Sequence, residues 1–164
     1  MARLEENSVM SAMIVREDVI KNTLFSLQQA GRKRNERVLL WLAGSGCQPL
    51  VVKEVYTPQQ RASRDVFRIP RNGISSLLDH LRKNHLMVAA QVHTHPRAAF
   101  HSVADDTWAI VRHVGALSLV LPEFAMSTSV STFRGDAMVF RLSSANAWEQ
   151  VPVSRIDGWY EVVS

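Results

Sequence analysis

Three short apolar runs set the constraint on what this 164-residue chain can fold into. "ERVLLWLAG" (36–44), "LMVAAQV" (86–92) and "ALSLVLP" (116–122) are almost free of polar residues in their interiors. None approaches the roughly 18 apolar residues that a bilayer-spanning helix needs. All are short enough to be strands buried within a sheet, and Gly44 and Pro122 punctuate two of them. Strands of this kind need layers packed over them, and the rest of the chain supplies candidates.

Residues 16–31, "REDVIKNTLFSLQQAG", place Ile20, Leu24 and Leu27 on one helical face, with Gly31 as a stop signal. Residues 72–85, "NGISSLLDHLRKNH", do the same with Ile74, Leu77, Leu78 and Leu81. A third helix is predicted from Ser102, carrying Trp108, Ala109, Val111 and Val114 at helical spacing. Further strands are expected at 49–57, forming a hairpin with the run before it, and at 65–70, 137–142 and 158–163. The order α-β-β-β-α-β-α-β-β predicts an α/β fold: a single mixed β-sheet flanked by helices, in one domain spanning residues 1–164.

Charge and cysteine content narrow the function classes. Lysine and arginine number 19 against 15 acidic residues, a net charge of +4. The only local basic cluster, Arg32-Lys33-Arg34, falls in a turn and has no interleaved aromatics, so no nucleic-acid partner is expected. Cys47 is the only cysteine, which excludes an intramolecular disulfide and a thiolate-only metal site. We read it, like Trp41 and Trp108, as a packing residue. The opening residues lack the basic-then-apolar layout of a signal peptide, so the expectation is a cytoplasmic protein with no membrane partner.

The chemistry-bearing stretch is "VHTHPRAAFHSVADD" (92–106). His93 and His95 stand two apart at a strand end, so both imidazoles can approach one point. Neutral imidazole suits zinc, and a catalytic zinc takes three protein ligands with a position left for water. Pro96 ends the strand because it cannot donate to the ladder. Ser102 is placed to cap the next helix, with Asp105 three residues on, as in a capping box. That carboxylate could supply a third metal oxygen.

His93-Thr94-His95-Pro96 followed by Ser102-x-x-Asp105 resembles the signature of JAMM (MPN-plus, or JAB-domain) zinc metalloproteases. That family also needs a glutamate at the start of an apolar strand ending in glycine, and Glu36 matches; Glu54 is the fallback. The loop after His95 is one residue shorter than the family's usual spacing. Counting from His95 therefore selects Asp106, whereas counting from Ser102 selects Asp105; the cap-to-carboxylate offset is the stiffer one, and Asp105 is chosen. The resemblance implies an MPN/JAB, cytidine-deaminase-like architecture. It implies that His93, His95 and Asp105 hold Zn²⁺, that Glu36 is the general base, and that Ser102 hydrogen-bonds the oxyanion. His101 and Asp106 flank the motif as candidates for tuning the metal. The implied activity is that of a deubiquitinase-like isopeptidase or peptidase. It would cut after the C-terminus of a ubiquitin-like protein, as bacterial relatives do in conjugation or antiphage systems. The alternatives are processing of a sulfur-carrier protein and a non-catalytic scaffold that binds a protein partner.

Overall fold

Every residue of β2 (Val38–Gly44) is buried, because the strand is covered on both faces. The computed structural model describes residues 13–62, 64, 67–100 and 110–164. Alternation along β2 sends Leu39, Trp41 and Ala43 into a large apolar cluster with Val19, Ile20, Leu24 and Leu27 of helix α1 (Glu17–Gly31). Val38, Leu40 and Leu42 point the other way, onto Leu77 of helix α2 (Arg71–Asn84), with Ile69 and Leu81 beside them. The lack of polar residues in this run thus reflects two apolar layers rather than one.

The other strands are β1 (Met13–Arg16), β3 (Leu50–Tyr56), β4 (Arg61–Ala62), β5 (Phe67–Arg68) and β6 (Leu86–Thr94), then β7 (Leu117–Leu121), β8 (Met138–Leu142), β9 (Trp148–Gln150) and β10 (Glu161–Val163). Eight form a mixed sheet in the order β10-β1-β3-β2-β6-β7-β8-β9. β2 runs antiparallel to both β3 and β6, which confirms the expected hairpin, and β6 runs parallel to β7. A parallel pair needs a crossover. Residues 95–116 provide it, and residues 101–109 of that connection lie outside the described residues.

Mixed α/β architecture with helices on the sheet is as the sequence predicts, with four corrections. Of the strand expected at 65–70, residues 65 and 66 lie outside the described residues, residues 69 and 70 are not strand, and β5 pairs with β4 in a separate two-stranded ribbon. Val111 and Val114 are not helical; Val111 is buried with Ala116 and Leu142, whereas Val114 is exposed. Leu78 is exposed too, and Gly73 takes its place in the buried stripe of α2, where a Cβ would meet the Gln59 carbonyl at 2.7 Å. Cys47 is exposed instead of packed. Trp41 is fully buried as predicted. Its indole N–H donates to Thr23 Oγ1 (2.9 Å), which in turn donates to the Val19 carbonyl (2.8 Å). A buried indole is thereby satisfied.

Gly31 closes α1 against an unusual segment. Glu123, Phe124 and Ala125 have φ of 51°, 54° and 59°, three successive non-glycine residues in the left-handed region. A Cβ on Gly31 would lie 2.7 Å from Phe124 Cβ and 2.9 Å from the Phe124 carbonyl oxygen. Gly31→Ala should therefore lower unfolding free energy by about 1–3 kcal/mol, measured by urea denaturation.

Tyr160 gives a second test. It is fully buried, and its hydroxyl has no hydrogen-bond partner among the described residues. Burial pushes its pKa from 10.0 up to about 12, against a smaller opposing pull from the Arg134 cation. Between those values the folded state keeps a proton that the unfolded chain has lost, so stability present below pH about 10 falls as pH rises toward about 12. Tyr160→Phe should fold as well as the parent at neutral pH and flatten that alkaline decline, read from urea midpoints across the window.

Candidate functional site

The β2–β6 ladder brings the candidate residues together. Val38 pairs with His93, Leu39 with Val92, Leu40 with Gln91 and Trp41 with Ala90. Continuing the same register by two residues sets Glu36 opposite His95. The contacts agree: Thr94 N–H donates to the Arg37 carbonyl (3.3 Å), and Arg37 N–H to Thr94 Oγ1 (3.4 Å). Glu36 Oε1 then lies 3.2 Å from His95 Nδ1, with both side chains almost wholly buried.

Which face these residues occupy is decided by a bulge. The register shifts between Trp41 and Leu42, so that Leu42 pairs with Val88 and Ala89 is the extra residue in β6. Ala89 and Ala90 consequently both belong to the α1-side cluster. Leu86 and Val88 face α2 ahead of the bulge, and Val38, on the same face, pairs with His93 beyond it. Strict alternation from Val88 would have put His93 on the α1 side. One inserted alanine re-aims the whole end of the strand, as bulges beside functional sites do.

His93 is fully buried and His95 is 4% exposed; their ring centroids are 5.3 Å apart in an edge-to-face arrangement. The i, i+2 expectation is therefore met, and the pair is joined by the Glu36 carboxylate. Glu54 is not part of this group. It pairs with His80 of α2 at 2.9 Å. Ser102, Asp105, Asp106, His101 and Trp108 lie outside the described residues. Among the described residues no three His, Cys, Asp or Glu side chains are gathered to hold a metal. Two buried imidazoles with a carboxylate alongside nonetheless suit a borderline-soft divalent ion that still lacks an oxygen ligand. Phe100 stacks on the His95 ring at 4.4 Å, so the chain enters residues 101–109 from beside the site.

Several positioning residues carried no signal in the sequence. Gln60 clasps the start of β2: its Oε1 accepts from Val38 N–H and its Nε2 donates to the Val38 carbonyl, both at 2.9 Å. His95 N–H donates to the Leu121 carbonyl (3.0 Å), and the His95 carbonyl accepts from Phe124 N–H (2.8 Å), inside the left-handed turn. Gln28 of α1 holds that turn from the other side, donating to the Ala125 and Thr128 carbonyls at 2.9 and 3.0 Å.

Two cavities flank the group. One, of about 540 Å³, is lined by Glu36, Asn35, Gln60 and the cations Arg32, Lys33 and Arg37. The other, of about 550 Å³, lies past Pro96 and includes Glu123 and Asp136.

No protein-family model matches the chain. Its fold is similar to the solution structure of protein DSY2949 from Desulfitobacterium hafniense, with a TM-score of 0.65, 16% identity and 92% of each chain covered. It is also similar to that of a protein from Salinibacter ruber, with a TM-score of 0.55, 13% identity, and 85% of this chain and 89% of that one covered. No helix among the described residues is long and apolar enough to cross a membrane. In sequence the chain is 32% identical over 143 residues to the probable metalloprotease y4jG of Sinorhizobium fredii, covering 82% of this chain and 84% of that one. With a buried pair of histidines and a buried glutamate at the end of its β2–β6 ladder, the chain belongs to the metalloprotease family of that relative.

Proposed function

We propose that the protein is a JAMM-type zinc metalloprotease that hydrolyses the amide bond after the C-terminus of a ubiquitin-like protein, as deconjugating enzyme or precursor peptidase. The observation that carries the JAMM assignment is the pairing of Glu36 with His95 across the β2–β6 ladder, beside His93. The signature that the sequence resembles needs a glutamate at the start of an apolar strand, and Glu36, just ahead of β2, lies beside the His-x-His pair, which supports the reading. The ubiquitin-like substrate rests on the sequence resemblance.

His93 and His95 would hold the metal, with Asp105 as third ligand from the connection that begins at Phe100. When bound, zinc supplies Lewis acidity, polarising a carbonyl and lowering the pKa of water. Glu36, within reach of a group seated at His95, takes a proton from the attacking water and passes it to the leaving amine. Ser102 donates a hydrogen bond to the oxyanion that develops on the carbonyl. Burial of Glu36 and both histidines keeps bulk water from competing for these contacts.

Purified protein should contain one zinc per chain by metal analysis, and His93→Ala should lose it; unchanged zinc in that variant would remove this centre from consideration. Glu36→Gln should retain zinc while peptide-bond hydrolysis falls by about 100-fold or more, and full activity there would remove Glu36 from the mechanism. A protein without zinc that still captures a ubiquitin-like partner would be a scaffold instead. Asp105→Asn should deplete zinc strongly and Asp106→Asn weakly, with the reverse order assigning the third ligand to Asp106.

A further inference from the structure

The basic cluster Arg32-Lys33-Arg34 has no part in the chemistry above, yet two of its residues line the cavity that opens over Glu36. We propose that this wall is a subsite for an anionic group of the substrate, an acidic side chain within a few residues of the scissile amide. The inference rests on the amide-hydrolase function proposed above and adds the charge class of its substrate.

The cluster is held in place by its backbone. Lys33 N–H and Asn35 N–H both donate to the Ala30 carbonyl (2.9 and 3.1 Å), Arg34 N–H donates to Gly31 (2.8 Å), and Arg34 reverses the chain at φ 56°. The side chains of Arg32 and Lys33 are exposed and make no ion pair or hydrogen bond with any described residue. Arg37, on the same wall, donates Nη1 to the Ser26 carbonyl and hydroxyl at 3.2 Å, which fixes the guanidinium without neutralising it. Among the described residues the only acid on this wall is Glu36, whose Oε1 is turned to His95. Three cations thus line a polar cavity whose one acid among the described residues is Glu36, and neither Arg32 nor Lys33 is paired with it. A carboxylate entering there gains from each at short range.

The other side of the site has the opposite sign. Past Pro96, Glu123 and Asp136 line the second cavity, and their carboxylates accept from Ser127 (3.0 Å) and Thr132 (2.7 Å). The described lining there carries two carboxylates against one cation, Arg97, the reverse of the balance on the Arg32–Lys33 wall, which would orient an extended peptide with its acidic group toward α1. A competing role for the cations is complementing the C-terminal end of α1, whose last turn has no basic residue. That role acts on stability alone, so binding separates the two.

Isothermal titration of zinc-loaded protein with acetyl-tetraglutamate amide and acetyl-tetraglutamine amide, at low ionic strength, provides the test. The acidic peptide should bind about tenfold more tightly, and the Arg32→Gln/Lys33→Gln double variant should erase that preference while keeping the parental melting temperature. If the double variant does not fold, Lys33→Glu replaces it and should likewise cut the acidic preference. Equal affinity for the two peptides, or a preference that survives the substitutions, overturns the proposal. Cleavage of a matched peptide set keeps the two conclusions apart. Zinc-dependent cleavage without acidic preference overturns the subsite and leaves the protease, whereas charge-selective binding without cleavage of any peptide supports the subsite and overturns the protease.

Discussion

The register between β2 and β6 is the constraint on which the site depends. A strand's side chains alternate, so a slip of one residue would carry Glu36 and both histidines to the wrong faces. The register is secured by burial: β2 is apolar on both sides, and each side already has a helix fitted to it. A slip would exchange Trp41, with its hydrogen bond to Thr23 and its ring contacts to Phe133 and Tyr160, for a leucine in the α1 layer. Core packing and the geometry of the candidate site are thus enforced by the same ladder.

The Ala89 bulge shows how that ladder tolerates two different demands on β6. Its first half must present Leu86 and Val88 to α2, and its last half must present His93 on that same face. An unbroken nine-residue strand with these residues could not do both, because Val88 and His93 differ by an odd number of positions. The extra alanine reconciles them, and its small side chain fits the α1-side cluster at little cost in volume.

The parts of the molecule legible in the sequence were those set by short-range pattern. Apolar runs announced β2, β6 and β7; helical spacing announced α1 and α2; His-x-His and the position of Glu36 before a strand pointed to three residues that the fold brings together. What the pattern missed was decided by tertiary partners. Met13–Arg16 is only four residues long and becomes a strand because β3 and β10 pair with it on either side. Leu78 fits the apolar stripe of α2 by spacing, but the close approach of Gln59 at Gly73 tilts the buried face away from it. Gln60 reads as an ordinary loop residue, and only the fold reveals it occupying the hydrogen-bonding positions of a neighbouring strand beside Val38. The bulge itself falls within Ala89-Ala90, a dipeptide with no preference that would mark it.

The left-handed turn at Glu123–Ala125 bears on how the sequence can drift. Left-handed backbone costs a non-glycine residue roughly 1–2 kcal/mol, and the turn holds three in succession. Its hydrogen bonds to His95, Arg97 and Gln28 hold that geometry from opposite sides. Branched residues such as valine or isoleucine, which suffer most at positive φ, are thereby shut out of three consecutive positions. Gly31, far before them in the sequence, is tied to the same restriction by its close approach to Phe124. These positions can change only in concert, so this corner of the molecule should be as intolerant of substitution as the histidines it steadies.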